Sequence, residues 1–279
     1  MTATALADPG IGLFEAMVLG LVEGITEFLP ISSTGHLLVA KRLLGLGEGA
    51  ANGVFVIGIQ MGAITAILVL YWRRLVAATG TMLRPVAGAP NLLWQIAIAA
   101  LPAAVVGLCC DHWIEAHLFS TRVVAATMVV GGALLLWLER WLAGQDRTPR
   151  ELAQMPYATA LWIGVFQCLA LVPGTSRSAA TIGGALLLGL SRTAAAEFSF
   201  FVGLPILYGA SLFKLVSHRN ELDDMLVPFL TGTLVAFLSA LVVVRPFVRF
   251  LRNHTFTPFA WYRLVGGALL VFLCWQQVV

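Results

Sequence analysis

The sequence predicts an all-α integral membrane protein built as an inverted-topology repeat, with six transmembrane helices and two re-entrant helix–loop–helix hairpins. Three observations carry this expectation. Only 11% of the 279 residues are charged and 59% are hydrophobic, whereas soluble domains carry about 25% charged residues; mean hydropathy is +0.89. Six windows run without a charge over much of the span of about 20 apolar residues that crosses a bilayer core. Two further apolar segments are broken by Pro, Ser, Thr and Gly, and they resemble each other.

The six windows are Val54–Trp72, Leu92–Cys110, Val123–Leu138, Phe198–Phe213, Leu226–Val244 and Leu264–Val279. The broken segments are 11–45 and 157–190. Each reads as two short apolar halves around a polar turn, which suits a chain that enters the bilayer and returns to the same side. Irregular backbone at that depth is tolerated only where protein or water covers it.

Lys and Arg between the spans set the orientation. Arg73, Arg74 and Arg84, then Arg140, Arg147 and Arg150, then Arg192, then Arg245, Arg249, Arg252 and Arg263 fall on one side of the predicted membrane. Lys41, Arg42, Arg122, Lys214 and Arg219 fall on the other. The arginine-rich side is expected in the cytoplasm, with both termini outside. The N-terminus has neither the basic n-region nor the cleavage site of a signal peptide, and it is expected to be retained.

The two breaks are copies. Leu19–Ser33, LGLVEGITEFLPISS, aligns with Ile163–Arg177, IGVFQCLALVPGTSR, if one gap is allowed. Gly20 then pairs with Gly164, Glu23 with Gln167, Pro30 with Pro173 and Ser33 with Ser176. Val129–Leu138, VVGGALLLWL, matches Leu264–Leu273, LVGGALLVFL. The halves are 1–150 and 151–279, each one hairpin plus three spans. An odd number of crossings per half inverts the second copy, so the hairpins approach the midplane from opposite sides. Transporters use that architecture, which keeps a lipid-carrier transporter as the competing class.

The net charge of +3 and the lack of a polybasic run give no reason to expect a nucleic-acid partner. Cys109, Cys110, Cys168 and Cys274 lie in or beside apolar segments without metal or disulfide spacing, and read as small packing residues.

The chemistry concentrates in the breaks. Glu23 and Glu27 stand four residues apart, on one face of a helix. A charge at bilayer depth costs about 2.5–3.5 kcal/mol on insertion scales, and two carboxylates together call for a cation or a proton. Mg²⁺ is satisfied by one or two carboxylates plus phosphate oxygens and water. The turn then delivers Ser32, Ser33, Thr34 and His36, with Ser33 close enough to His36 to share a pocket as nucleophile and acid/base.

The second break, Val172–Thr181, carries Gly174, Thr175, Ser176, Arg177, Ser178 and Thr181 ahead of an apolar helix. Free N–H groups and the positive dipole end make that helix start an anion site. Arg177 adds a planar fork matched to phosphate oxygens. The alternative is that Arg177 pairs with Glu23 or Glu27 and only holds the fold together.

At these residues the chain resembles the undecaprenyl-diphosphatase family, the integral-membrane bacitracin-resistance enzymes of bacterial cell-wall synthesis. Glu23–Glu27 is similar to the family's (E/Q)xxxE motif, followed by the family-like FLPISSTGH. Pro173–Thr181 is similar to its PGxSRSxxT motif, with Ala179 where Gly is frequent. IQMGAI (Ile59–Ile64) and AAEFSFF (Ala195–Phe201) are also family-like, and the resemblance spans essentially the whole length. It implies hydrolysis of a polyprenyl diphosphate to the monophosphate and inorganic phosphate, in the bacterial inner membrane, at a site open to the periplasmic side. It also implies metal-binding carboxylates at Glu23 and Glu27, for Mg²⁺ or Ca²⁺, a loop pair at Ser33 and His36, and phosphate holders at Ser176 and Arg177. The choice between Ser33 and His36 as nucleophile stays open, as does a homodimer. Glu197 and Gln60 are further polar residues near membrane depth. The motifs of the acid-phosphatase-like lipid phosphatases are absent, since no Lys precedes Arg84-Pro85 or Arg245-Pro246 at the required distance.

Overall fold

The computed structural model describes residues 10–47, 50–83, 90–146, 148–218 and 225–276. Among them the secondary structure is helical, with no strand. In chain order the helices are α1 Leu13–Thr26, α2 Ser33–Leu43, α3 Ala50–Leu70, α4 Trp72–Leu83, α5 Leu92–Leu118, α6 Thr121–Ala143, α7 Tyr157–Gln167, α8 Arg177–Leu187, α9 Arg192–Ser217, α10 Leu226–Leu251 and α11 Thr257–Trp275. Six of them, α3, α5, α6, α9, α10 and α11, are long and apolar enough to cross a membrane. The protein is an all-α, multi-pass membrane protein. Arg84, Arg147, Arg219 and residues 277–279 lie outside the described residues.

Capping side chains start several spans where the sequence changes from loop to apolar run. Asn91 Oδ1 accepts from the N–H groups of Leu93 and Trp94 at 2.9 and 3.3 Å. Ser120 and Ser191 do the same for α6 and α9. Each cap satisfies donors that a helix start leaves free. The outer faces of the spans carry exposed apolar side chains such as Leu101, Leu134, Leu234, Val242 and Val265, as expected of surfaces solvated by lipid tails.

The strongest helix pairings join the first half of the chain to the second. α1 packs on α10, α3 on α10 and α9, α5 on α7 and α9, and α6 on α11. Exchanging α1 with α7, α3 with α9, α5 with α10 and α6 with α11 reproduces the same set of pairs. Glycines permit close crossings, among them Gly20 and Gly164. A Cβ on Gly20 would stand 2.3 Å from Gly232 O, and one on Gly164 would stand 2.3 Å from Ala99 O, so α1 and α7 touch their partners backbone to backbone.

The short pairs α1–α2 and α7–α8 form the two hairpins. Their turns meet in the interior, against a core that includes Phe28, Ile64, Ile67, Phe198, Phe200 and Phe247. Phe28 meets Phe200 edge-on at 5.3 Å.

The structure corrects two expectations. First, the turns align without a gap. Ser32 and Ser176 both have positive φ, 72° and 71°, and are the only described non-glycine residues that do. Both cap the following helix, Ser32 from Gly35 N at 3.3 Å and Ser176 from Ala179 N at 3.2 Å. Ser176 therefore corresponds to Ser32, and Arg177 to Ser33. Second, Arg263 is not a loop charge. It lies inside α11, fully buried. Arg74, Arg192 and Arg150 do gather at one end of the bundle, where Arg74 meets Glu197 and Arg192 grips Glu139.

Candidate active site

Glu27 follows the last residue of α1 and points into the space between the hairpin turns. Its Oε2 accepts from Ser33 Oγ at 2.7 Å, and its Oε1 accepts from Arg177 Nη2 at 2.9 Å. The side chains of Arg177 and Glu27 are 9% and 5% exposed. Burial of both ions carries a large desolvation cost, which only close geometry and further hydrogen bonds offset. Arg177 gains those bonds by donating from Nη1 to Ser199 O at 2.7 Å and to Ser199 Oγ at 3.3 Å. Thr181 Oγ1 lies 2.7 Å from Ser199 Oγ and fixes that residue. The contact expected by the reading of Arg177 as a structural partner is thus present, yet Arg177 Nε remains buried without a partner.

Glu23 sits one turn earlier on α1, fully buried beside Glu27 and Arg177. Neither of its oxygens meets a hydrogen-bond donor, and its carboxyl lies against that of Glu27. Buried polar atoms are rarely left this way, so the orphaned carboxylate marks a place where a cation fits. No group of three or more His, Cys, Asp or Glu converges among the described residues. An all-protein cage is thereby excluded there, but the two-carboxylate mode that Mg²⁺ accepts is not.

The turns are strained at Ser32 and Ser176. A non-glycine residue held at such φ costs about 1–3 kcal/mol and persists where its surroundings fix it. The fixing group is Arg263. Its Nη1 donates to Thr175 O at 2.9 Å and Pro30 O at 3.4 Å, its Nη2 to Thr127 O at 3.0 Å and Gly174 O at 3.2 Å, and its Nε to Met128 O at 3.4 Å. One guanidinium thus ties both turns to α6. Thr127 adds a bond from its hydroxyl to Pro173 O at 2.7 Å.

His36 lies on the first turn of α2. Its Nδ1 is 2.7 Å from Ser32 O, and its Nε2 is 2.6 Å from Tyr262 Oη. The expected Ser33–His36 pair does not form: the serine hydroxyl turns back to Glu27 and the imidazole faces α11. Beside His36 an apolar groove of about 490 Å³ runs between α1 and α11, walled by Val22, Ile25, Leu29, Phe259 and Tyr262.

The structure therefore brings Glu23, Glu27, Ser33 and Arg177 together, with His36 at the edge. Ser32 and Ser176 act through the backbone as caps. Ser178 donates to Leu29 O at 2.8 Å and joins the two turns, while Thr181 is buried behind Arg177. The carbonyls of Gly174 and Thr175 face Arg263, and Thr34 is exposed. Glu197 pairs with Arg74 at 2.5 Å, in the arginine-rich end. Sequence reasoning missed Arg263, Tyr262 and Ser199. Arg263 carried a signal, a cation seven residues into an otherwise uncharged span, that was read as a loop charge.

A buried carboxylate pair, an arginine and a strained serine turn on each side define a polytopic membrane protein with one polar chamber made jointly by two helix hairpins. The chain belongs to the family described as bacitracin resistance protein BacA, whose sequence profile it matches over residues 16–269. It is 49% identical over 274 residues to undecaprenyl-diphosphatase 2 of Rhodospirillum rubrum, covering 96% of this chain and 97% of that protein. It is 44% identical over 273 residues to the undecaprenyl-diphosphatase of a Polaromonas species, with coverage of 96% and 97%. It is 45% identical over 269 residues to undecaprenyl-diphosphatase 1 of Chromobacterium violaceum, with coverage of 96% and 98%.

Proposed function

We propose that this protein is a membrane phosphatase that hydrolyses undecaprenyl diphosphate to undecaprenyl phosphate and inorganic phosphate, the activity its relatives are named for. That reaction recycles the lipid carrier of cell-wall synthesis and underlies bacitracin resistance. The observation that carries the reading is the Glu27 carboxylate, gripped by Ser33 from one turn and Arg177 from the other.

The Ser33 hydroxyl already directs its hydrogen at Glu27. Attack of Ser33 Oγ on the terminal phosphorus would form a Ser–O–P bond and break the bridging P–O bond. The hydroxyl proton would pass to Glu27, and the lipid monophosphate would leave with the bridging oxygen. Glu27 would hand that proton to the departing monophosphate; water would then attack the phosphoserine, Glu27 taking the water's proton and returning it to Ser33 Oγ as the Ser–O–P bond breaks and inorganic phosphate leaves. His36 is the other candidate nucleophile. Arg177, with its free Nε and the N-terminus of α8, would stabilise the equatorial oxygens as charge develops. Glu23 and Glu27 would hold a divalent cation, Mg²⁺ or Ca²⁺, whose charge offsets that of the two phosphates. The groove between α1 and α11 would take the polyprenyl chain.

The arginine bias supports insertion in the bacterial inner membrane with the first hairpin opening outward. The pairing of inversely related helices favours a lipid-carrier transporter as the second reading. One experiment separates the two: purified protein in detergent is given undecaprenyl diphosphate and free phosphate is measured. Stoichiometric release supports the phosphatase. Substrate binding without release would leave the transporter.

A further inference from the structure

Tyr262 stands two turns inside α11, at the boundary between the polar chamber and the apolar groove. It is 49% exposed and lines the groove with Phe259, Ile25 and Leu29. Its ring stacks on His36, with centroids 5.5 Å apart and planes 8° apart. Its hydroxyl oxygen lies 2.6 Å from His36 Nε2.

The other ring nitrogen fixes the tautomer. His36 Nδ1 is 2.7 Å from Ser32 O, and a carbonyl oxygen can only accept. Nδ1 therefore carries the hydrogen, and in the neutral ring Nε2 presents its lone pair to the Tyr262 hydroxyl, which donates. That lone pair is what His36 would use on phosphorus or on a proton. It is covered by a side chain that also forms the wall of the groove. Anything filling the groove presses on the cap.

We infer that Tyr262 is a specificity-determining residue: it caps His36 Nε2 until a polyprenyl chain enters the groove and displaces it, so that the tail of the substrate releases the chemistry at its head. This rests on the reading of the chamber as the phosphate site and of the groove as the prenyl site. Burial of roughly two or three prenyl carbons outweighs the loss of one neutral hydrogen bond. A diphosphate without an apolar tail brings no apolar surface to move the ring, which spares soluble diphosphates from hydrolysis.

The test compares the wild-type protein with Tyr262→Phe, which keeps the ring and removes the hydroxyl. Two readouts are taken: kcat/KM on undecaprenyl diphosphate and on inorganic diphosphate, and the rate of diethyl pyrocarbonate modification at His36 without substrate, followed by peptide mass spectrometry. The cap predicts that the rate on inorganic diphosphate rises roughly five- to tenfold, as one neutral hydrogen bond is removed. The preference for undecaprenyl diphosphate, read as the ratio of the two rates, should fall by the same factor, and modification of His36 should quicken. Parallel loss on both substrates would overturn the proposal and assign Tyr262 to the reaction itself. An unchanged substrate ratio with unchanged modification would also overturn it, as would full activity of His36→Gln, because the cap would then guard a group the reaction does not use. If the wild-type protein releases no phosphate from either substrate, the phosphatase reading fails, while the modification rate still decides whether Tyr262 shields His36.

Discussion

Ser33 and Arg177 occupy corresponding positions of the two turns, each directly after a serine with positive φ, and they hold the two oxygens of a single carboxylate. The first turn carries a hydroxyl there and the second an arginine. The counterpart of Glu23 is Gln167, also buried and also without a hydrogen-bond partner. The acidic groups thus lie on one hairpin and the cation on the other, and the chamber needs both.

Glu27→Gln keeps the shape but leaves Arg177 buried against a neutral amide. Removing one member of a buried ion pair typically costs about 3–5 kcal/mol. We expect a lower melting temperature in detergent and almost no turnover. The double variant with Arg177→Gln should recover part of the stability and none of the activity. Simple additivity of the two melting effects would contradict a coupled pair.

Arg177→Lys retains the charge but cannot reach Glu27 and Ser199 together with a planar fork. Loss of a well-placed donor to transition-state charge costs about 10²–10³ in rate, and the loss should fall mainly on kcat. Melting and turnover are to be measured on the same preparation. A large fall in melting temperature with intact turnover per folded molecule would make Arg177 structural only.

Chelation should abolish activity and a divalent cation should restore it. Glu23→Gln should raise the cation concentration needed for half-maximal turnover and weaken Mg²⁺ binding measured by calorimetry. Undiminished wild-type activity in excess chelator would remove the metal from the reaction.

Arg263→Lys retains a cation but offers three donors to five carbonyls. With hydrogen bonds from charged groups worth about 1.5–3 kcal/mol each, a loss of several kcal/mol in stability is expected. Turnover should fall as well, because both turns lose their anchor. An unchanged thermal midpoint would show that the five contacts contribute little.

A cysteine placed at Ala143, in a protein freed of its native cysteines, should resist an impermeant reagent added to intact cells. Labelling there would reverse the orientation.

The spans were legible because uncharged windows of that length have few other uses. The hairpins were legible because Pro30 and Pro173 interrupt apolar runs that hold polar side chains. Glu23, Glu27, Ser33 and Arg177 stood out because such groups are costly at membrane depth. What stayed hidden depends on three-dimensional placement. Matching Pro30 to Pro173 forced a gap, and only the backbone at Ser32 and Ser176 shows that the true register has none. The choice of Glu27 over His36 as the partner of Ser33 follows from how the turn folds back, which residue spacing alone does not specify. Nothing in the sequence marks Tyr262, whose hydroxyl lies on His36. Arg263 reads as a flanking charge until its carbonyl partners are seen.

Glu27 and Arg177 are separated by 150 residues of chain. At synthesis rates of about 5–20 residues per second, the carboxylate is made roughly 8–30 s before its guanidinium. Through that interval the first hairpin holds Glu27 without the guanidinium that meets it in the finished fold. The turn that carries Glu27 can settle at its final depth only when the second half arrives, so the chamber is among the last parts of the molecule to close.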